Sequence, residues 1–453
     1  MRRKSRLAAA LAGLLVPSLG LAHGAQPRIV ALSFPPQLGG ALWAVTDNQG
    51  LYSLADGTTN WLCEDAVARN AGFQQAVPTG QGDTDWLVAS SYGLFQTHDR
   101  GCNFEAVGAP LEAAPPGGLW ADPANPQDVL TVTQWPDTPN DVYWTADGGG
   151  TWQASGLAVD GIFHGLVRSP VDSRRVYVAH ARGAARSEDG GRTFEAMPMG
   201  PPELDAAPEE FRLLLAHPTH AEEIWAVVER FPESIVLRSA DAGRTWQPML
   251  TLGDTPAGMA FDADASHALI VSRFDEYRRS ADGGETWTRA PETVPILGCL
   301  TLEPGTNRLW GCSNVFFMGP WVLGRSDDFG ETWTPALSRF TDVRSRWGCP
   351  AGSAAETACV GLCPGQPIGA TCGGGAPDAA TDVDAGPSTP DGGALPAADA
   401  VVARPEDVGV TAVAEANAGT GGCSAAATRG TPWAAAAFGV VAGVLGRRRR
   451  ARV

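Results

Sequence analysis

Lysine is nearly missing from this chain: Lys4 is the only one in 453 residues. Alanine, glycine, proline and arginine are plentiful instead, which reads as the codon bias of a high-GC genome and not as a functional signal. Cations are short overall, with 33 Lys and Arg against 50 Asp and Glu. Setting aside the two chain ends leaves 23 positive charges and a net charge of about −27. A surface that acidic repels nucleic acid and anionic lipid headgroups, so neither is expected as a partner. Tyrosine is scarce. All five (Tyr52, Tyr92, Tyr143, Tyr177 and Tyr277) fall in runs that read as strands or strand edges. No cysteine spacing matches a zinc site, no Cys-x-x-Cys-His is present, and no complete EF-hand-like loop occurs. Asp262-x-Asp264 and Asp327-Asp328 read as solvated turns, and His217 and His220 as loop residues. No metal and no cofactor is expected. The apolar stretches Leu7–Leu21 and Pro432–Gly446 each run about 15 residues, short of the roughly 20 that span a bilayer comfortably.

What the chain does have is one eight-residue pattern in six clean copies: Thr97–Phe104, Thr145–Trp152, Ser187–Phe194, Ser239–Trp246, Ser280–Trp287 and Ser326–Trp333. Each reads Ser/Thr, any, Asp, any, Gly, any, usually Thr, then Trp or Phe. The paired residues are Asp99 and Gly101, Asp147 and Gly149, Asp189 and Gly191, Asp241 and Gly243, Asp282 and Gly284, and Asp328 and Gly330. A worn copy centres on Asp56, with Thr58 and Asn60 at the Gly and Thr positions and Trp61 at the aromatic one. Successive aspartates lie 43, 48, 42, 52, 41 and 46 residues apart, a period that points to propellers or solenoids.

Each copy sits between strand-like runs, so it predicts a hairpin connection. The carboxylate can accept backbone N–H groups ahead of it, and the glycine supplies positive φ where a Cβ would clash. The aromatic is expected to wedge into the core, so that Trp287→Ala costs about 3–5 kcal/mol. Val176-Tyr177-Val178, Leu269-Ile270-Val271 and Leu87-Val88-Ala89 read as buried strands. His217-Pro218, Asp122-Pro123 and Glu303-Pro304 mark turns before several of them. Seven such units over residues 28–345 predict an all-β, seven-bladed propeller.

These residues resemble the Asp-box, or BNR repeat, of sialidases, sortilin-type receptors, xyloglucanases and a photosystem II assembly factor. The resemblance covers about 28–340. It implies that the box joins the third and fourth strands of a blade on the outer rim. It does not imply an activity, because the box recurs in enzymes and non-enzymes.

The two ends read differently. Residues 1–24 have the order of a signal peptide: Arg2, Arg3, Lys4 and Arg6, an apolar stretch, then Ala22-His23-Gly24. Nine cysteines in an exported chain suggest disulfides. The candidates are Cys299 and Cys312, flanking a hairpin of the last blade; Cys63 and Cys102, near boxes in neighbouring blades; and Cys349, Cys359, Cys363 and Cys372, a knot in a Cys-rich segment at 346–372. Their pairing stays open. Residues 373–420, rich in Gly, Ala, Pro and Asp and free of aromatics, read as a disordered linker. Residues 421–453 run Gly-Gly-Cys-Ser, an expected short hydrophobic helix and a terminal arginine cluster. That order resembles the MYXO-CTERM sorting signal of myxobacteria. It implies that Cys423 is the processing and lipid-attachment residue, that the partners include the export machinery, a sorting protease and the membrane, and that the protein sits on the cell surface.

Against a sialidase, Arg28-Ile29-Val30 has Val30 where that family's Arg-Ile-Pro motif has proline. Glu276 and Tyr277 are adjacent and would point to opposite faces of a strand, and sialidases have six blades. The favoured expectation is a non-catalytic binding or scaffold module for envelope or matrix glycans or proteins, with no catalytic residue assigned. The alternative is an exported glycoside hydrolase, sialidase-like or glucanase-like.

Overall fold

A computed structural model describes residues 27–364 apart from 56, 69–71, 81, 137, 275–276, 291–294, 314–318, 320, 344 and 363. Seven antiparallel four-stranded sheets follow one another along the chain, at 29–62, 73–106, 116–154, 163–197, 211–252, 256–289 and 297–337. The first strands of neighbouring sheets pack together around the axis. This is a seven-bladed β-propeller, as the period predicts. The second strands are the most deeply buried: Leu87, Val88, Val176, Val178, Leu269 and Ile270 are inaccessible to solvent. The side chains of each blade interleave with those of the next, and this stacking, more than strand propensity, holds the ring.

The chain turns at two ends of the ring. First-to-second and third-to-fourth connections lie on one face; second-to-third connections and the passages between blades lie on the other. In blades two to seven the repeated octapeptide is the third-to-fourth corner. In blade one only two residues, Asp56 and Gly57, join strands Gly50–Ala55 and Thr58–Leu62. Asp56 itself lies outside the described residues.

Blade seven closes onto blade one. Cys299, Cys312 and Leu323 share an apolar cluster with Ile29 and Val30. The chain then continues as a strap. Phe340 packs at a tilt against Tyr52 at 4.9 Å, and Ser345–Arg346 adds a parallel fifth strand to blade one opposite Asn60 and Trp61. Trp347 packs edge-on against Trp86 and Trp43. A short helix, Ala354–Cys359, is capped by the Ser353 hydroxyl. Two disulfides, Cys63–Cys359 and Cys102–Cys349, fasten the strap to blades one and two. This corrects the expectation of a self-contained knot: Cys349 and Cys359 reach back 247 and 296 residues. Cys299 and Cys312 do pair, directly opposite each other in blade seven. Cys363, Cys372 and Cys423 lie outside the described residues, as do the signal-like start, the linker and the tail. Among the described residues no helix is long and apolar enough to cross a membrane.

Candidate functional site

The octapeptide corners show what their residue pattern does. In all six the Ser or Thr hydroxyl donates to the aspartate Oδ1 at 2.7–2.9 Å. The backbone N–H four residues beyond the aspartate donates to the same oxygen at 2.8–2.9 Å. The side chain there, Thr in five corners and Asn103 in the other, donates to Oδ2 at 2.5–2.7 Å. The glycine N–H then donates to the Ser or Thr hydroxyl. Both carboxylate oxygens are thus used inside the turn.

Charge follows from this. In Asp282 the Thr286 hydroxyl is the main reason the carboxyl falls to about 2. In Asp147 and Asp189 partial burial is the largest single influence and pushes upward. The hydrogen bonds from the Ser or Thr hydroxyls and the backbone together outweigh it, and both carboxyls also sit at about 2.

The glycines have φ between +78° and +109°. A Cβ on Gly284 would lie 2.7 Å from Trp225, on Gly330 2.8 Å from Leu269, and on Gly243 2.0 Å from Met197. Those partners belong to the preceding blade, so these corners are also clasps between blades. The residue just before the glycine is left-handed too, even where it is Arg100, Ala242 or Phe329; the sequence pattern leaves that position open. The aromatics correct the expectation of a uniform wedge. Trp152 and Trp246 are buried, whereas Phe104, Phe194, Trp287 and Trp333 are only half-buried. The Trp287 indole N–H caps the Gly284 carbonyl at 2.9 Å.

Ion pairs lace the same face across blades. Arg168 and Arg192 of blade four share Asp128 of blade three, each at 2.9 Å. Arg175 meets Glu222 at 2.8 Å, and Arg244 meets Glu188 at 3.1 Å. Arg279 meets Glu331 at 2.9 Å, and within blade seven Arg308 meets Asp327 at 2.5 Å.

Two side-chain triads on this face have the composition of a metal site, His217–His220–Glu223 and Asp262–Asp264–His267. Their bonding is that of turns. His217 Nδ1 accepts the backbone N–H groups of Thr219 and His220. Its proton is therefore on Nε2, facing Glu223. Glu223 in turn accepts from Trp225 and Arg238. Burial holds the His217 imidazole at about 4. Asp262 accepts from the His267 N–H and from the Ser266 hydroxyl. Asp262 also pairs with His267 Nδ1 at 2.7 Å. Asp122 and Ser169 play the same capping part in blades three and four.

The opposite face is built differently. Among the described residues, four large aromatics stand exposed there, each on a second-to-third-strand corner. Tyr92 (58% exposed) is on blade two, Trp135 (37%) on three, Phe231 (102%) on five and Phe274 (48%) on six. Tyr92 therefore departs from the other four tyrosines, which are buried or half-buried within strands. The first strand of every blade also carries a register shift. Such bulges re-aim side chains near an edge. In blades two and four the extra residues are Gln74 and His164.

Around blades four and five this face is polar. Arg212, buried on the innermost strand of blade five, pairs with Glu229 at 2.6 Å and donates to the Pro256 carbonyl of blade six. Arg230 pairs with Glu210 at 2.9 Å and donates to the Leu204 and Asp205 carbonyls, both at 2.7 Å. Burial lowers the His164 and His180 imidazoles, His180 to about 4. Arg28, of the Arg-Ile-Val sequence, is tied to Asp47 at 3.3 Å.

None of the aromatic corners was visible as a site in the sequence; the signal is an aromatic in the connection between a blade's second and third strands. Glu276, paired in the sequence reading with Tyr277, lies outside the described residues, and the Tyr277 hydroxyl is bonded to the Pro295 carbonyl.

No family model and no curated protein matches this chain. Solved structures do. An ancestral GH74 enzyme superposes with a TM-score of 0.54 at 14% identity, over 69% of this chain and 47% of that one. The GH74 xyloglucanase from Xanthomonas campestris gives 0.52 at 16% identity, over 70% and 54%. The chain thus spans about half the length of these enzymes, and the likeness is one of fold. The class that fold and comparison define is the seven-bladed β-propeller.

Proposed function

We propose that this propeller is a non-catalytic binding module that works through the face opposite the octapeptide corners. The observation that carries the reading is the exposure of Tyr92, Trp135, Phe231 and Phe274 on corners of four different blades, all on one face. We read this one-sided distribution of large exposed aromatics as an interaction surface. The corners belong, on this reading, to the Asp-box class and serve as scaffold, their carboxylates being committed to their own turns.

The ends of the chain supply the setting. Residues 1–24 direct export, 373–420 act as a spacer, and 421–453 are a MYXO-CTERM-type signal processed near Cys423. The propeller is thereby presented at the cell surface to envelope or matrix glycans or proteins. Mass spectrometry of surface protein should find a chain ending near Cys423 with a modified thiol; an intact arginine-containing terminus there counts against the tail assignment.

The binding reading is tested with the purified chain and sialosides and β-glucans, scored both for retention and for turnover. Retention or partner binding that falls with Tyr92→Ser, Trp135→Ser, Phe231→Ser or Phe274→Ser, without turnover, supports it. Turnover abolished by a single carboxylate-to-amide change replaces it with the glycoside hydrolase reading.

A further inference from the structure

We infer that the lip formed by blades four and five on the aromatic face docks a basic polypeptide segment that brings an apolar side chain with it; this rests on the face assignment proposed above. The lip is one continuous surface. The connection from blade four to blade five, residues 198–210, is held against the blade-five corner by Arg230, through Glu210 and the Leu204 and Asp205 carbonyls. At that corner Phe231 has its whole side chain in water. It is the most exposed of the large hydrophobic residues described.

Charge complementarity selects the occupant. Six carboxylates line the lip: Glu203, Asp205, Glu209, Glu210, Glu229 and Glu233. Two guanidiniums face them, Arg212 and Arg230, already matched to Glu229 and Glu210. The remaining four carboxylates are exposed and make no ion pair among the described residues. Arg182, on the neighbouring corner of blade four, turns to the Asp160 carbonyl toward blade three.

An uncompensated acidic rim around one exposed aromatic has the anatomy of a protein-docking site. The ring supplies a central anchor, and the rim attracts cations and steers approach. An acidic polysaccharide is repelled by the same rim, and a neutral one gains nothing from its charge.

The test uses the full chain, immobilised, with a synthetic twelve-residue peptide of alternating Lys and Leu as probe. Binding should weaken steeply with added salt. It should fall by roughly tenfold in the combined variant Glu203→Gln, Asp205→Asn, Glu209→Gln and Glu233→Gln, and comparably in Phe231→Ser. Neutralising Glu188, Glu222, Glu285 and Glu331 on the other face should leave it unchanged. Equal loss from both sets of carboxylates means that bulk charge alone draws the peptide, and overturns the inference. Absence of peptide binding overturns it as well. If Phe231→Ser then abolishes retention on a β-glucan, the aromatic face still binds and only the partner class is wrong. If no variant on that face alters any binding, the face assignment fails too.

Discussion

The two faces of this propeller treat the same chemical groups in opposite ways. On the corner face, carboxylates are enclosed: each corner aspartate accepts from a hydroxyl and a backbone N–H in its own turn, and arginines bridge one blade to the next. On the other face, among the described residues, four carboxylates around Phe231 make no ion pair and four aromatics stand in water. Groups that satisfy one another stabilise a fold, and groups left open to solvent are available to something else. Changes on the first face should therefore cost stability, and changes on the second should cost binding.

The largest expected effect lies at the ring closure, where the strap is fastened to blade one and to the blade-two corner. Replacing Cys63 and Cys102 by serine removes both long-range disulfides. Each such bond typically contributes about 2–5 kcal/mol in a disulfide-linked domain, so the double variant should melt well below the parent. An unchanged melting temperature would show that blade seven holds blade one without the strap.

Within the corner face, burial grades the aromatics. Trp246 is buried and bonds the Pro198 carbonyl at 2.8 Å, so Trp246→Ala should cost about 3–5 kcal/mol. Trp287, half-buried, should cost about 1–3 kcal/mol, below the full-burial figure, because less apolar area leaves water. Equal losses in denaturant unfolding would remove this distinction.

A smaller effect follows from pH. The corner carboxyls of Asp147, Asp189 and Asp282 sit at about 2 in the folded protein, against an ordinary 3.8. A depressed folded-state value means that the ionised form stabilises at pH above about 4, and that this contribution is lost as pH falls toward 2. The melting temperature should thus decline through that window. Asp189→Asn should show a shallower decline; an identical slope would place the acid sensitivity elsewhere.

The smallest stability effect belongs to the aromatic face. Phe231→Ser removes a side chain that touches little, so unfolding should shift by less than about 0.5 kcal/mol. A loss of several kcal/mol would mean that the corner is structural and would erase the contrast between the faces.

How much of this was legible in the sequence depends on the range of the interaction. The corners are local. Ser280, Asp282, Gly284 and Thr286 lie within seven residues and close their own hydrogen-bonded ring, so their spacing announces them. Cys299 and Cys312 were readable for the same reason, being two sides of one hairpin. The strap was not: Cys349 and Cys359 find partners hundreds of residues away, a pairing set by how the ring closes. The left-handed residue before each corner glycine was hidden because Arg100, Ala242 and Phe329 are held there by the turn around them. The aromatic face was hidden because an aromatic at a turn is informative only once its exposure is known.

By itself, the sequence determined the number of blades, the position of each corner and the acidity of the surface, since all three follow from periodic local chemistry and composition. Only the tertiary structure decided which groups remain open. Closing seven sheets into a ring brings the corner glycines against the preceding blade, sends the cysteines of the strap across the seam, and gathers Glu203, Asp205, Glu209, Phe231 and Glu233 onto one lip. Those residues come from two connections more than twenty positions apart, and only blade packing, reinforced by the Arg230 clamp, makes them neighbours.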